Sequence, residues 1–188
     1  MLFSAVILAG GNSRRMGKDK AWLEVEGQPL IRRQIELARS VGAAEVFVSG
    51  RTDCDYSALG CPVLRDEFTD AGPLAGIERA LYTTASPLLL VLAVDLPRLT
   101  TPVLRDLLSH CTPQAGAIPR IKEQIEPLAA VYPRAAHKIA VARLSEGKNA
   151  VRNFAQDCVS EQLAVFANLP STTVAMFTNW NSPTDLVE

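Results

Sequence analysis

Through its first two thirds the chain alternates short apolar blocks with stretches in which apolar residues return at helical spacing. Residues 3–9 form the first block and predict a strand buried on both faces. Over residues 29–41, Ile31, Ile35, Ala38 and Val41 fall on one stripe of a helix, and Gly42 marks its end. Residues 45–49 predict a second strand and residues 62–65 a short third. Leu74, Ile77 and Leu81 share one face of a helix that begins near Gly72. Residues 88–94 are the most apolar block and predict a central strand covered on both faces. Thr101 and Pro102 read as the N-cap and first residue of a helix running through Leu107 and Leu108.

Strands alternating with helices predict an α/β fold, with a mostly parallel central sheet between helical layers. Ligands of such sheets bind beyond the carboxyl ends of the strands. Gly10, Asp66 and Asp95 follow the first, third and central strands, so spacing and topology put all three on one rim. After about Gln114 the pattern changes. Residues 115–119 and 126–132 predict strands around the charged turn Arg120-Ile121-Lys122-Glu123-Gln124. Residues 134–144 and 150–157 predict helices broken by Gly147 and Asn149, and residues 162–166 and 172–177 predict two closing strands. With no Gly/Ser-rich linker and no internal repeat, the 188 residues read as one domain with two halves, residues 1–113 and 114–188.

Composition excludes several classes of function. The apolar share of 48% and charged share of 21% are those of an ordinary globular protein. A net charge of −1 argues against a general nucleic-acid binder. The four cysteines, Cys54, Cys61, Cys111 and Cys158, show no C-x-x-C spacing. With only two histidines, His110 and His137, they read as buried or incidental thiols rather than a zinc site. The opening apolar run is too short, and lacks the charged leader, for a secretory signal. No apolar run approaches the length of a membrane span. A soluble, cytoplasmic protein without a membrane partner is expected.

Positive charge is concentrated directly after the first strand, in Leu8-Ala9-Gly10-Gly11-Asn12-Ser13-Arg14-Arg15-Met16-Gly17-Lys18-Asp19-Lys20. Paired glycines let backbone N–H groups approach phosphate oxygens where a Cβ would collide or demand the wrong φ. Arg14, Arg15, Lys18 and Lys20 supply charge that could fold over a triphosphate. A flexible basic loop is the competing reading. The Walker A pattern fails, because Gly11 and Gly17 enclose five residues and Lys18 is followed by Asp19. The dinucleotide fingerprint fails too, since Gly10, Gly11 and Gly17 do not give Gly-x-Gly-x-x-Gly.

The string at residues 8–20 resembles the signature of the sugar-nucleotide and cofactor nucleotidyltransferases, and among them is most similar to the molybdenum cofactor guanylyltransferases. Leu64-Arg65-Asp66, Gly72-Pro73-Leu74-Ala75-Gly76, Val94-Asp95-Leu96-Pro97 and Asn179-Trp180-Asn181-Ser182-Pro183 follow in that family's order and spacing. The likeness therefore spans essentially the whole chain. It implies a three-layer α/β/α, Rossmann-like nucleotidyltransferase fold. It implies Leu8, Ala9, Gly10, Gly11, Lys20, Asp66 and Asp95 as nucleotide-binding residues, with Arg15, Lys20 and Asp95 catalytic and Asp95 a ligand of Mg²⁺. Gly76, Asn179 and Asn181 are candidates on the acceptor side, and Glu126 and Arg152 are weaker ones. Family members often carry an Asn at the end of the second strand. Val46-Phe47-Val48-Ser49-Gly50-Arg51 has none, so Ser49 or backbone groups must substitute.

Read from the residues alone, most of these positions admit a structural use as well. A carboxylate at the mouth of so apolar a strand as Asp95 needs a cation. Mg²⁺, which takes few protein carboxylates, and Arg98 both qualify, and an N-cap role is open. Asp66 could accept hydrogen bonds from ribose or base, or close an Asx-turn, and Asp70 reads as a turn or N-cap residue. Gly72 and Gly76 open a helix whose N–H groups could face an anion, or they permit close packing. Asn181 could reach the metal or the acceptor, or Asn181 or Ser182 could cap a last short helix with Pro183 in its first turn.

The reaction the resemblance implies is transfer of GMP from GTP to the terminal phosphate of molybdopterin, releasing pyrophosphate. Molybdenum-insertion or molybdoenzyme-maturation proteins are the implied partners. A phosphate monoester is already ionised at neutral pH, so it needs no general base as nucleophile, and none of the motifs contains a histidine. Three alternatives stay open. Cytidylyltransferases for the same cofactor tend to read Leu-Ala-Ala-Gly where this chain has Leu8-Ala9-Gly10-Gly11, and the extra glycine leaves room for a purine. A nucleotidyltransferase for another phosphorylated acceptor is the second. A non-catalytic cofactor-binding protein is the third, and Lys20 and Asp95 argue against it.

Overall fold

The computed structural model of the protein describes residues 1–10 and 20–180. Strand β1 (Phe3–Leu8) is followed by a 3₁₀ turn (Lys20–Trp22), the small hairpin β2 (Glu24–Val25) and β3 (Gln28–Pro29), and helix α1 (Leu30–Ser40). Then come β4 (Val46–Ser49), β5 (Val63–Leu64), α2 (Pro73–Thr83), β6 (Leu88–Ala93) and α3 (Thr101–Ser109). The remainder is β7 (Gly116–Ile121), β8 (Gln124–Ile125), β9 (Ala129–Pro133), α4 (His137–Ser145), α5 (Val151–Ser160) and β10 (Ala164–Asn168).

The central sheet runs β10-β7-β9-β6-β1-β4-β5, with β8 paired off β7. β1 is parallel to β4 and β6, β4 to β5 and β7 to β10. β9 turns the sheet antiparallel, against both β6 and β7. β6 lies in the middle, where its uninterrupted apolar sequence is required, and all six of its residues are buried. Successive side chains of a strand point to opposite faces. Phe3, Ala5, Ile7, Leu88, Leu90 and Leu92 accordingly pack with Ile31 and Ile35 of α1 and Leu104 and Leu107 of α3. On the other face Val6, Leu8, Leu89 and Val91 meet Leu74, Ile77 and Leu81 of α2 and Phe154 of α5. The result is three layers, helices on both sides of a mostly parallel sheet. Among the described residues no helix is long and apolar enough to cross a membrane.

Four local expectations change. Residues 172–177 are not a strand but part of a 3₁₀ segment, Ser171–Phe177. Thr173 turns both its N–H (3.0 Å) and its hydroxyl (2.7 Å) to the carbonyl of Pro170. Such local bonds offer the backbone an alternative to a sheet ladder, and only Phe177 of the segment is buried. The N-cap of α3 is Thr100 rather than Thr101, which puts Pro102 one place further into the first turn, where a missing N–H is still harmless. The charged turn is shorter than expected, because Gln124 and Ile125 pair back onto Ile121 and Arg120. The β2–β3 hairpin, unforeseen in the sequence, turns on Glu26 and Gly27 with φ of 53° and 77°, as a tight hairpin turn with both central residues at positive φ requires.

Register decides where the rim lies. Leu8 stands opposite both Ser49 and Ala93, and Ser49 opposite Leu64, so β1, β4, β5 and β6 end in one row. Gly10, Asp66 and Asp95 each come two residues past that row.

Candidate active site

At the mouth of β6 the Nζ of Lys20 lies 2.9 Å from Oδ2 of Asp95. The two side chains are 16% and 22% exposed, buried enough to need each other and open enough to meet a ligand. Lys20 is brought there by the 3₁₀ turn that packs on α1. The backbone of the same loop is held from several sides. Val94 donates its N–H to the Leu8 carbonyl (3.1 Å), and Trp180 donates its own to the Asp95 carbonyl (3.0 Å). The guanidinium of Arg98 lies 5.5 Å from the centre of the Trp180 ring. These contacts set Trp180 at the rim.

The second cluster forms at the ends of β4 and β5. The N–H groups of Ala9 and Gly10 both turn back to the Ser49 carbonyl, at 2.8 and 3.2 Å. The described part of the glycine-rich segment thus uses its amides to knit the rim. The Ser49 hydroxyl donates to Oδ1 of Asp66 at 3.3 Å. Burial raises the Asp66 pKa from its ordinary value; the Ser49 bond opposes this, the negative charge of Glu78 adds to it and Arg79 opposes it. Gly76 is buried beneath this pair, and a Cβ there would stand 2.3 Å from Ser49 Oγ and 3.0 Å from Leu8 Cδ2. A cavity of about 300 Å³ opens beside these strand ends, lined by Gly50, Arg51, Tyr56, Leu64 and Arg65 among others.

Leu8 and Ala9 are buried, so their contribution to a ligand would come from the backbone. Gly10 is exposed, and among the described residues the nearest atoms to a Cβ built on it are 3.9 Å away. The described residues therefore do not demand a glycine there. Gly11, Arg14, Arg15, Lys18, Asn181, Ser182 and Pro183 lie outside the described residues. Asn179 is exposed and precedes Trp180 at the rim. Glu126 is partly buried, which raises its pKa, and the charge of Arg152 opposes that shift. Two contributors escaped the sequence reading. The Trp180 amide is a backbone group with no sequence signature. Gln34, whose amide reaches the Leu96 carbonyl at 2.7 Å, had one: it is a polar residue inside the apolar stripe of α1.

The donor set limits the metals that fit. Among the described residues no three His, Cys, Asp or Glu side chains gather as a metal cage. A structural zinc site needs such a cage. Mg²⁺ does not, since it binds through one or two carboxylates and completes its shell with phosphate oxygens and water. A single half-buried carboxylate beside a candidate polyphosphate segment suits it.

Residues 5–163 match the family of the MobA-like NTP transferase domain. The chain is 37% identical to the "Probable molybdenum cofactor guanylyltransferase" of Opitutus terrae, over 97% of this chain and 92% of that one. It is 36% identical to a protein of the same name from Pelotomaculum thermopropionicum, over 98% of this chain and 90% of that one. The crystal structure of molybdopterin-guanine dinucleotide biosynthesis protein A from Archaeoglobus fulgidus shares the fold, with a TM-score of 0.74 at 23% identity over 97% and 94% of the two chains. A likeness that covers nearly the full length of sequence and fold, with the two candidate carboxylates on the rim where ligands of such sheets bind, places this chain: it belongs to the MobA-like NTP transferase family, among the relatives named molybdenum cofactor guanylyltransferase.

Proposed function

We propose that the protein transfers GMP from GTP to the terminal phosphate of molybdopterin in the cytoplasm, releasing pyrophosphate, with Mg²⁺ held by Asp95. The observation that carries this reading is the Lys20–Asp95 pair, which joins the end of the glycine and cation segment to the mouth of the central strand. The names of the relatives favour guanine, and so does Gly10, whose missing side chain the described residues do not require.

The chemistry is an in-line displacement at the α-phosphorus by a phosphate that is already ionised. Catalysis then reduces to alignment and neutralisation of charge. Bound Mg²⁺ would supply Lewis-acid charge to the phosphate oxygens beside Asp95. Lys20 places a second positive charge at the same mouth, 2.9 Å from the carboxylate. Arg15, from the segment between the described residues, is assigned to the leaving pyrophosphate. Asp66, steadied by Ser49, accepts from the ribose or base. Residues 1–113 form the nucleotide side. Residues 114–188 form the acceptor side, to which Asn179, Asn181 and Gly76 are assigned; Asn179 precedes Trp180, whose N–H meets the Asp95 carbonyl.

The test is Asp95→Asn, which keeps size and one acceptor oxygen but loses the charge. The variant should remain folded, because an isosteric amide leaves no cavity. Its Mg²⁺ requirement, read as pyrophosphate release, should rise steeply while its maximal rate falls. A lowered melting temperature with an unshifted Mg²⁺ midpoint would instead make Asp95 a structural residue.

A further inference from the structure

Helix α1 turns Leu30, Ile31, Ile35 and Ala38 into the core, and Gln34 stands among them at 1% exposure. Its Nε2 donates to the carbonyl of Leu96 at 2.7 Å. Its Oε1 is buried and has no hydrogen-bond partner among the described residues. An unpaired buried acceptor lowers stability, and an apolar residue of similar shape would avoid that loss. Packing alone therefore does not favour glutamine here. Positions at which a sequence departs from its own local rules tend to be functional.

The place of the bond suggests what the departure is for. Leu96 follows Asp95 directly, and its carbonyl accepts both the Gln34 amide and the N–H of Leu99, the latter at 3.3 Å. The preceding carbonyl, that of Asp95, accepts the Trp180 N–H, and the Val94 N–H is tied to Leu8. The link between β6 and Pro97 is thus pinned residue by residue. Gln34 is the side chain in that set, and it comes from a helix buried against the sheet.

We infer that Gln34 is a positioning residue: through the Leu96 carbonyl it fixes the Leu96–Pro97 peptide, one residue beyond Asp95, and with it the strand end from which Asp95 presents its carboxylate. The inference rests on Asp95 as the metal-holding residue. Displacement of such a group by about 1 Å can cost on the order of 10² in rate, so a side chain that sets the peptide plane matters without touching substrate.

Gln34→Met keeps length and removes the donor; Gln34→Leu is a second apolar replacement. Each is compared with the unaltered protein and with Asp95→Asn. The measurements are the melting temperature, exchange of the Leu99 amide, Mn²⁺ binding by EPR in the presence of a non-hydrolysable GTP analogue, and kcat and KM for GTP. Both Gln34 variants should melt no lower than the unaltered protein. Their Leu99 amide should exchange faster, Mn²⁺ binding should weaken by about tenfold and kcat should fall by about tenfold, with KM for GTP little changed. Unaltered Mn²⁺ affinity and kcat in a folded variant would overturn the inference. So would failure of both variants to fold, which would make Gln34 a residue of the core. If Asp95→Asn also binds Mn²⁺ normally, the metal role of Asp95 falls and this inference with it. If Asp95→Asn loses the ion and the Gln34 variants keep it, the inference alone fails.

Discussion

Lys20 and Asp95 are 75 positions apart in the chain and 2.9 Å apart in space. Their pairing gives the carboxylate at the end of an apolar strand the cation that burial demands. It also joins a segment rich in positive charge to the strand in the middle of the sheet. The sequence offered Mg²⁺ or Arg98 as that cation. The structure places Lys20 at the carboxylate and sets Arg98 over the ring of Trp180.

Lys20→Ala should therefore affect turnover far more than folding. Asp95 is 22% exposed, so water can reach the carboxylate once the ammonium is gone, which holds the cost to about 1–2 kcal/mol. The melting temperature should move by a few degrees at most, while the rate of pyrophosphate release falls by about 10² to 10³. Near-normal turnover in this variant would remove Lys20 from the chemistry.

Gly76→Ala should destabilise the protein by about 1–3 kcal/mol, because the added methyl meets a packed neighbour. The closest atom is the Ser49 hydroxyl oxygen, 2.3 Å from the new Cβ. Adding Ser49→Ala removes that atom and leaves contacts of 3.0 Å, so the double variant should regain part of the loss. Equal melting temperatures for the glycine and alanine forms would contradict the close approach of α2 to the strand ends.

The same serine tunes Asp66. Burial raises the Asp66 pKa, and the Ser49 hydrogen bond is the largest influence opposing it. Ser49→Ala should raise the pKa further, as followed by NMR of the carboxyl carbon. If the ionised carboxylate accepts from the nucleotide, GTP affinity should fall as pH drops through the Asp66 pKa. That fall should begin at higher pH in the variant. A pKa unmoved by Ser49→Ala would show that the bond has no influence on the carboxylate.

Alkaline pH should destabilise the fold through two thiols. Burial pushes Cys111 and Cys158 up to about 12 from the ordinary 9.0, with Asp157 adding to the shift at Cys158. Above pH 9 the unfolded chain releases these protons while the folded protein keeps them. Stability is thus fully present below that pH and falls by up to about 1.4 kcal/mol per pH unit for each thiol until about 12. Denaturant melts between pH 8 and 11 should show the decline, and Cys111→Ala/Cys158→Ala should flatten it. Iodoacetamide at pH 8 should label Cys158 only on unfolding, since it is fully buried and its thiolate is scarce.

Much of the fold was legible because its signals are local and strong. The residue 88–94 block contains no polar residue and could only be a strand covered on both sides, which is where β6 lies. The rim could be drawn from strand ends alone, since Gly10, Asp66 and Asp95 share one offset from one row of paired residues. What sequence did not reveal was pairing between distant parts. Nothing near Asp95 names Lys20 as its partner, and no pattern marks the Trp180 amide. Residues 172–177 failed for the opposite reason: an apolar run suggested a strand, but the carbonyl of Pro170 captured Thr173 first. Gln34 was visible as an irregularity in the stripe of α1, yet its meaning required the Leu96 carbonyl opposite.

The central claim is tested most directly by incubating the protein with Mg²⁺, molybdopterin and each of the four nucleoside triphosphates in turn, and measuring pyrophosphate. The account predicts release with GTP that depends on molybdopterin, with little from ATP, UTP or CTP. Release with CTP at a rate equal to or above that with GTP, or release from GTP that is indifferent to molybdopterin, would contradict it.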